Sequence, residues 1–281
     1  MSQSASLQHE AWYWRLRRRI TPGLRNAQYA YFNKLDSLLQ KEDRWLDLGC
    51  GRRITPAWLR DRAAREDEFV QRASEVVGID PDENAIAENL LPIRKHQGFA
   101  DDVPEPDSAF DLITANMVFE HMDSPDAVLC ESTRLLKPGG LLLFHTPNVW
   151  YPITLLAACV PGVLRNRVTA WLEKRPAKEI YPTHYRLNSE RAIRRAAYHA
   201  GLNVESILQT ADSPETVRLG PFVAIELLLI ALTRQASFAA LRSNLIVTLR
   251  KPAGTELAAD GMNVAADTSK PVTGQAYGAA A

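Results

Sequence analysis

Trp45-Leu-Asp-Leu-Gly-Cys-Gly51 and, after an interval, Val76-Val-Gly-Ile-Asp-Pro81 decide the fold of this 281-residue chain. Each is a short apolar run that ends in turn-forming residues, which is typical of a buried parallel strand. Glycine in the first turn lets a ligand approach the backbone closely, because no Cβ blocks it. Asp80 ends the second run, where its two oxygens can accept hydrogen bonds from both hydroxyls of a ribose. The alternative for such a residue is a helix cap or a solvated turn, but two adjacent strand ends of this kind predict a nucleoside site.

The glycine spacing distinguishes between nucleoside cofactors. A dinucleotide site uses Gly-x-Gly-x-x-Gly, so that a helix N-terminus can face a pyrophosphate, whereas Gly49-Cys-Gly51 continues into Arg52-Arg53-Ile54. The third glycine is absent, which leaves a nicotinamide-dependent enzyme as the weaker alternative. Asp47-x-Gly49-x-Gly51 instead resembles motif I of class I S-adenosylmethionine-dependent methyltransferases, with Asp80 at the family's ribose-binding position.

Two later motifs extend this resemblance in the family's order and spacing. Phe110-Asp-Leu-Ile-Thr-Ala-Asn116 is similar to its fourth strand, and Leu135-Leu-Lys-Pro-Gly-Gly-Leu-Leu-Leu-Phe-His-Thr-Pro-Asn148 is similar to its helix-to-fifth-strand motif. The resemblance covers about residues 44–148 and implies S-adenosyl-L-methionine as the cofactor. The residues to which it assigns cofactor binding are Asp47, Gly49, Cys50, Gly51, Asp80, Pro81, Ala100, Asp101 and Asn116.

Two positions depart from the family's pattern. Arg53 stands where many members carry a glycine or a small residue, and Phe99 stands where many carry an acidic residue beside the adenine. Asp101 or Asp102 would then contact the adenine amino group, and the backbone of Ala100 would face the ring. The departures also keep a second hypothesis open, in which the chain binds the cofactor without turnover and serves as a regulatory or scaffold module.

Strand and helix signals alternate along the chain, which predicts an α/β fold with a doubly wound, mostly parallel, seven-stranded sheet of the Rossmann-like methyltransferase type. We expect a helical lead-in over 1–43, a methyltransferase domain over 44–252, and a disordered tail over 253–281, where large apolar residues are few. Helical insertions are expected after strands five and six, at about 149–188 and 211–243. We expect a helix over 56–69 and a third strand over 96–100. A further helix should begin at 125 and be ended by the residues 138–140, and a fifth strand should span 141–145.

The amino-acid composition limits the kinds of partner and the cellular compartment that we expect. Thirty-three basic residues balance thirty-three acidic ones, so nothing proposes a nucleic-acid partner, which a basic excess would favour. Cys50, Cys130 and Cys159 are far apart and form no Cys-x-x-Cys, which indicates neither a disulfide framework nor a thiolate zinc site. The polar N-terminus lacks the features of a signal peptide. We therefore expect a cytoplasmic protein without a bound metal, in an oligomeric state on which the sequence is silent.

Two apolar stretches, Val149–Leu164 and Pro221–Thr233, raise the question of membrane contact. Each falls short of the ~20 residues needed to span a bilayer, so both are predicted to be buried or interfacial helices that wall an acceptor pocket. The stretch Trp12–Ile20 combines aromatic residues with arginines, which suits an anionic membrane surface or an anionic substrate. An amphipathic helix packed on the domain edge is the favoured alternative. The arginines concerned are Arg15, Arg17, Arg18 and Arg19.

The resemblance implies displacement at a methyl carbon, and we expect the acceptor to be an oxygen of a small molecule, a sugar or a lipid-linked glycan. The region 181–188 and the second apolar stretch resemble methyltransferases of bacterial polysaccharide and glycoconjugate pathways. A hydroxyl acceptor benefits from a general base, for which histidine has a suitable pKa. His121, His145 and His184 are the candidates, although each could instead be structural. Glu120, beside His121, is a candidate orienting acid.

Overall fold

The four apolar runs quoted above form four strands of the sheet. The computed structural model describes residues 3–56, 58–59, 65–159, 181–214 and 222–254. Within them, the strands are β1 (Arg44–Leu48), β2 (Glu75–Asp80), β3 (Arg94–Gln97), β4 (Phe110–Asn116), β5 (Leu136–Pro147), β6 (Asn203–Thr210) and β7 (Asn244–Arg250). They form one seven-stranded sheet in the order β3-β2-β1-β4-β5-β7-β6.

The sheet is parallel except at one strand. β1 pairs in parallel with β2 and β4, while β3 and β5 extend the parallel part on either side. β7 lies between β5 and β6 and is antiparallel to both. The predicted doubly wound, mostly parallel, seven-stranded sheet is therefore confirmed. The strand order reverses between β1 and β4, and in such sheets ligands bind at the carboxyl ends of the strands beside this reversal.

Helices cover both faces of the sheet. They are α1 (Gln3–Ile20), α2 (Ala27–Leu38), α3 (Glu66–Arg72), α4 (Glu83–Glu88), α5 (Pro125–Leu135), α6 (Pro152–Ala158), α7 (Glu190–His199) and α8 (Phe222–Thr233). Two 3-10 turns span Phe119–His121 and Ala236–Leu241. Side-chain oxygens of Asn26, Asp82 and Ser189 accept backbone N–H bonds at the starts of α2, α4 and α7, which satisfies donors that have no partner inside a helix.

The core is divided by the sheet into two apolar clusters. One contains Phe110 and Phe144 and lies beneath α5 and α7. The other contains Phe32, Trp45 and Phe69 and lies beneath α2 and α3. Successive side chains of a strand point to opposite faces, so neighbouring residues at the end of one strand enter different environments. This alternation decides which polar residues can meet at the site.

Three expected boundaries are corrected by the structure. The third strand is Arg94–Gln97 rather than 96–100, because it ends where its partner β2 ends, and Gly98 then donates to the Asp80 carbonyl at 3.1 Å. The fifth strand begins at Leu136 rather than 141, since the 138–140 segment that was expected to stop a helix is part of the strand. Lys251 N–H donates to the Gly140 carbonyl at 2.9 Å and Gly139 N–H to the Lys251 carbonyl at 2.8 Å, which extends the sheet. The helix expected over 56–69 is described only from Glu66, and it continues to Arg72.

The two apolar insertions contact one another. The Tyr151 hydroxyl, just before α6, donates to Glu226 of α8 at 3.0 Å, and both side chains are buried. α8 also packs on α1, where Tyr13 forms a small apolar cluster with Val223 and Leu227. The predictions for residues 160–180 of the first insertion, 215–221 of the second and 255–281 of the tail concern residues outside the described ranges. Of the helices described, none combines the length and the apolar character that crossing a membrane requires.

Candidate functional site

The loop after β1 is shaped by two glycines with left-handed backbone conformations. Gly49 has φ of 71° and Gly51 has φ of 47°, values that side chains disfavour because of Cβ contacts. A Cβ on Gly49 would lie 2.6 Å from Cγ2 of Val118. Gly49 N–H donates to the Ile79 carbonyl at 2.8 Å, which turns the loop back towards the end of β2. The glycines are therefore required by the shape of this loop.

Asp80 connects the end of β2 to that loop. Its Oδ2 accepts from Gly51 N–H at 2.9 Å, and its Oδ1 accepts from Asp82 N–H at 2.9 Å. A carboxylate oxygen has two lone-pair sites, so each oxygen keeps acceptor capacity for a further donor. Pro81 is exposed beside it. The backbone thus aims both carboxylate oxygens at the same edge of the sheet as the glycine loop.

Asp47 is a buried carboxyl, with 4% of its surface exposed. Thr114 Oγ1 donates to its Oδ1 at 2.5 Å, and Trp45 Nε1 in turn donates to Thr114 Oγ1 at 2.7 Å. Burial, reinforced by the negative charge of Asp80, raises the pKa of Asp47 to about 7. A cationic group arriving near this carboxyl would favour its ionised form. Asp47 therefore offers a negative charge that a positively charged ligand would stabilise.

Cys50 contributes its backbone to the loop while its side chain packs on β2. Its thiol is buried, and burial raises its pKa to about 12. A Cβ on Gly78 would lie 2.7 Å from the Cys50 sulfur, so the glycine of β2 makes room for this side chain. The Cys50 N–H donates to the Ile79 carbonyl at 3.2 Å. The side chain of Cys50 is thus a packing element of the turn.

Arg53, at the position where the family often has a glycine or a small residue, anchors the following segment. Its Nε and Nη2 donate to Glu66 Oε2 at 3.1 and 2.8 Å, and Thr55 N–H donates to Glu66 Oε1 at 2.7 Å. Asn89 Nδ2 donates to the Gly51 carbonyl at 2.8 Å. Sequence reasoning missed Glu66 and Asn89, because neither belongs to a motif and both lie at a distance along the chain.

The turn after β3 carries the residues expected near an adenine. Gly98 N–H is bonded to the carbonyl of Asp80, which holds this turn beside the end of β2. Ala100 is half-buried against the core, whereas Asp101 and Asp102 are exposed. Phe99, at the position where the family often has an acid, is 69% exposed. The turn is therefore held beside Asp80, whose carboxylate in turn contacts Gly51 of the glycine loop.

Asn116, at the end of β4, forms a reciprocal amide pair with Gln28 of α2. The Asn116 Nδ2 donates at 2.9 Å and the Gln28 Nε2 donates back at 3.1 Å. His145 lies on the same face, with Nδ1 3.0 Å from Asn116 Oδ1 and Nε2 2.9 Å from Asn244 Oδ1. Its ring stacks on Tyr31 at a centroid distance of 5.8 Å. Burial lowers the pKa of His145 to about 4, which favours the neutral ring, and a neutral ring donates to only one of these two amide oxygens.

Glu120 belongs to a second polar chain on the opposite face. Thr146 Oγ1 donates to Glu120 Oε2 at 3.2 Å, and Asn188 Nδ2 donates to Thr146 Oγ1 at 2.8 Å. Glu120 is only 2% exposed, and burial raises its pKa to about 7. Among the described residues, the buried Oδ1 of Asn188 has no hydrogen-bond partner. The Glu120 carboxyl can therefore exchange a proton near neutral pH.

His121 lies next to that carboxyl, and its tautomer follows from one contact. Its Nδ1 is 2.9 Å from the Pro182 carbonyl oxygen. A carbonyl oxygen can only accept, so in the neutral ring Nδ1 carries the proton and Nε2 carries the lone pair. That Nε2 is 3.9 Å from Glu120 Oε1. His121 thus presents a proton-accepting nitrogen beside the buried carboxyl.

The segment 181–185 connects the ends of two strands. The Tyr181 hydroxyl donates to Asp82 Oδ2 at 3.2 Å, next to the end of β2. His184 N–H donates to the Glu120 carbonyl at 2.7 Å, after the end of β4. The segment therefore contains His184 and contacts His121, whereas His145 lies on the other face of the sheet. No cluster of metal-binding residues occurs in the described part of the chain.

Comparison with known proteins identifies the family to which the chain belongs. A model described as "Methyltransferase domain" matches residues 24–207, more than half of the chain. The ubiquinone/menaquinone biosynthesis C-methyltransferase of Cupriavidus necator is 33% identical over 120 residues, covering 40% of this chain and 48% of that protein. The ubiquinone biosynthesis O-methyltransferase of a Bradyrhizobium strain is 30% identical over 129 residues, covering 43% and 47%. The chain spans about half the length of these curated relatives.

A solved structure shares the fold. It is an S-adenosylmethionine-dependent methyltransferase from Mesorhizobium loti, with a TM-score of 0.51 and 20% identity, covering 79% of this chain and 97% of that one. At this level of identity the likeness concerns the fold alone.

Proposed function

This chain belongs to the methyltransferase-domain family, and on that premise we propose that it binds S-adenosylmethionine at the ends of β1 and β2 and transfers its methyl group to an oxygen of a small-molecule acceptor. One observation carries the proposal. The Asp80 carboxylate is held by Gly51 and Asp82 N–H groups, so that it stands beside the glycine loop with acceptor capacity for the two hydroxyls of a ribose.

The residues present suit the rest of the cofactor. The loop at Gly49 and Gly51 admits a ligand close to the backbone. Asp47 offers a carboxyl whose ionised form a nearby ammonium or sulfonium would stabilise. The turn from Ala100 to Asp101 lies beside Asp80, where an adenine attached to the ribose would extend. We therefore assign the predicted cofactor residues to one continuous surface across three strand ends.

When bound, the cofactor supplies an electrophilic methyl group on a sulfonium, so the protein's own task is to position the reactants. Holding two reactants in attack geometry contributes up to about 7–11 kcal/mol in favourable cases. The segment from Tyr181 to His184 spans from Asp82 to Glu120, which suits it to cover the reacting groups and exclude water.

We assign the role of general base to His121. Its Nε2 has the lone pair in the neutral ring, and the adjacent Glu120 carboxyl titrates near neutral pH. His145 is less suited to be the base, because both its nitrogens face buried asparagine amides and burial lowers its pKa to about 4. His184 shares the segment over the site and is the second candidate.

The acceptor is proposed to carry an apolar or lipid group. α6 and α8 meet at Tyr151 and Glu226, and Trp150 and Phe222 beside these helices are 56% and 63% exposed. Aromatic side chains of this kind suit contact with an apolar acceptor. The curated relatives include methyltransferases named for ubiquinone biosynthesis, one acting at carbon and one at oxygen, which supports a small-molecule acceptor in preference to a macromolecule. Sugars and lipid-linked glycans are included in this class.

Contact with the face of a membrane fits the same acceptor. α8 exposes Phe222, Ile225 and Leu228, which recur every three residues along one face. α1, which packs on α8, carries the exposed arginines Arg15, Arg18 and Arg19. Exposed apolar side chains flanked by arginines are typical of peripheral binding to anionic bilayers. We include this contact in the proposal.

A cofactor comparison tests the central proposal. S-adenosylmethionine or S-adenosylhomocysteine should raise the melting temperature of the purified protein in a concentration-dependent manner, whereas NAD should not. Binding of both sulfur compounds followed by methyl transfer to an acceptor in a screen of phenols, sugars and lipid-linked substrates would support the full proposal. Stabilisation by NAD alone would contradict it, and cofactor binding without turnover on any acceptor would favour the regulatory module.

A further inference from the structure

A cavity of about 410 Å³ lies apart from the glycine loop, between α2, the segment before it and the end of β6. It is lined by the arginines Arg25, Arg234 and Arg242 and by residues such as Tyr29, Asn33 and Leu208. Its lining residues include no aspartate or glutamate. The cavity is therefore a local concentration of positive charge in a chain whose overall charge is balanced.

The arginines of this cavity lack carboxylate partners in the described part of the chain. Several arginines elsewhere in the structure are paired with carboxylates: Arg44 with Glu75, Arg53 with Glu66 and Arg134 with Glu131. Because all three guanidinium groups line one cavity, an anion bound there would offset their mutual repulsion. The cavity therefore suits an anionic ligand.

Two of these guanidinium groups are held in place by backbone carbonyls. Arg242 donates through Nε, Nη1 and Nη2 to the carbonyls of Thr233, Gln209 and Arg234 at 3.0, 3.0 and 3.2 Å. Arg234 Nη1 donates to the Pro22 carbonyl at 2.9 Å. A guanidinium has five N–H donors, so both keep donors for a ligand. Groups positioned before binding lose less conformational entropy when the ligand arrives.

We infer that this cavity binds a phosphate- or diphosphate-bearing group. Guanidinium groups match phosphate oxygens in geometry and can bind them in pairs, and three of them suit a polyanion better than a single carboxylate. The volume is near the lower end of about 300–1,000 Å³ for ligand cavities, which favours a compact group. Tyr29 and Leu208 add an apolar part of the wall for whatever carries the phosphate. This inference goes beyond methyl transfer and does not depend on it.

The test uses inorganic pyrophosphate as the probe and the full-length protein. Binding is measured by calorimetry, with sodium chloride of equal ionic strength as the reference. The cavity variant is Arg25→Gln, Arg234→Gln, and Arg242 is left intact because its carbonyl bonds support the local structure. The matched control is Arg191→Gln, Arg195→Gln, which removes the same charge from exposed positions of α7. We expect saturable binding to the wild type and the control, and affinity at least about tenfold weaker in the cavity variant.

A single substitution keeps the test decisive if the double variant does not fold. The Arg25 side chain forms no hydrogen bond or ion pair within the described residues, so Arg25→Glu removes no structural contact and should still abolish pyrophosphate binding. Equal affinity of the wild type and Arg25→Glu, or no saturable binding by the wild type, would overturn the inference. Equal loss in the cavity and control variants would also overturn it, because it would show only general charge attraction.

Vesicles distinguish the two sources of such a group. If the ligand is a lipid headgroup, the protein should sediment with vesicles that contain phosphatidic acid, and pyrophosphate should displace it. If the ligand is a soluble phosphorylated compound, pyrophosphate should bind while the cavity variant and the wild type sediment equally. Either result supports an anion site in the cavity, provided that pyrophosphate binding depends on Arg25 and Arg234.

Discussion

The Oδ2 of Asp80 accepts a hydrogen bond from the backbone N–H of Gly51 at 2.9 Å, which joins the end of β2 to the glycine loop after β1. This contact orients a carboxylate without using all of its acceptor capacity. It makes the loop and the carboxylate one unit, so a change in either should alter the proposed cofactor site.

Substitution of Asp80 should weaken cofactor binding while the fold remains. We expect Asp80→Ala to reduce S-adenosylmethionine affinity by about 1.5–3 kcal/mol, the scale of a hydrogen bond to a charged group. Glu83→Gln is the matched control, because it removes one negative charge from an exposed position of the adjacent α4. Calorimetry measures both affinities. Unchanged affinity in a folded Asp80→Ala protein would refute the assignment of the ribose to this residue.

An added side chain should destabilise the protein more at Gly49 than at Gly51. Gly49→Ala brings a Cβ to 2.6 Å from Val118 Cγ2, whereas the nearest contact for Gly51→Ala is 3.9 Å. Both also place a side chain at positive φ, at a cost of roughly 1–2 kcal/mol. We expect Gly49→Ala to lower the melting temperature more. Val118→Ala combined with Gly49→Ala should recover part of that loss, and a combined loss equal to the sum of the two single losses would show that the contact is not its source.

His121 should dominate the proton transfer. With an acceptor identified, His121→Gln is expected to lower kcat by about 10²–10⁴-fold, the usual contribution of a general base. His184→Gln, in the segment above it, is the control and should lower kcat much less, since its contact with Glu120 is made by the backbone. The pH profile of kcat should lose its acidic limb only in His121→Gln. Loss of that limb in His184→Gln instead would transfer the role to His184.

Glu120 should make stability depend on pH. Its pKa is raised by burial to about 7 in the folded protein, against an ordinary value of 4.5. The unfolded chain therefore releases this proton first, and the contribution of Glu120 to stability is full below about pH 4.5 and is lost as the pH rises towards 7. The loss amounts to a few kcal/mol in order of magnitude.

The variant Glu120→Gln isolates this effect. It has no proton to release, so its free energy of unfolding should vary less between pH 4.5 and 7 than that of the wild type. Denaturant titrations of both proteins across this range provide the measurement. Parallel curves for the two proteins would show that Glu120 is ionised in the folded state. The buried Asp47 and Asp212, whose pKa values are also raised by burial, contribute equally to both proteins.

The exposed aromatic residues of the two insertions should affect the acceptor and not the cofactor. Trp150→Ala, Phe222→Ala is expected to raise the KM for an apolar acceptor several-fold, because it removes aromatic contact area, and to leave S-adenosylmethionine affinity unchanged. Leu90→Ala, a highly exposed apolar residue elsewhere, is the control. Sedimentation with anionic liposomes measures membrane contact in the same proteins. Normal acceptor kinetics together with no liposome binding would exclude both the pocket wall and the membrane surface.

The sequence alone determined the local parts of the molecule. Apolar runs that end in glycine or aspartate predicted β1 and β2 and the turn between them, because hydrophobic periodicity and the conformational freedom of glycine act over a few residues. The alternation of strands and helices predicted the parallel sheet for the same reason. Motif resemblance added the family and its cofactor, which the match over residues 24–207 supports.

Only the tertiary structure decided which polar residues meet. His145 and Thr146 are adjacent in sequence, yet His145 joins Tyr31 on one face and Thr146 joins Glu120 on the other. The face on which each side chain lies depends on the strand register and on the helix that packs there. A local sequence pattern determines neither of these. Two further features also depend on contacts between segments that are distant in sequence. Arg53 pairs with Glu66, thirteen residues away, and β7 lies between β5 and β6. Such pairs of charges and strands form only when the chain folds and buries them together.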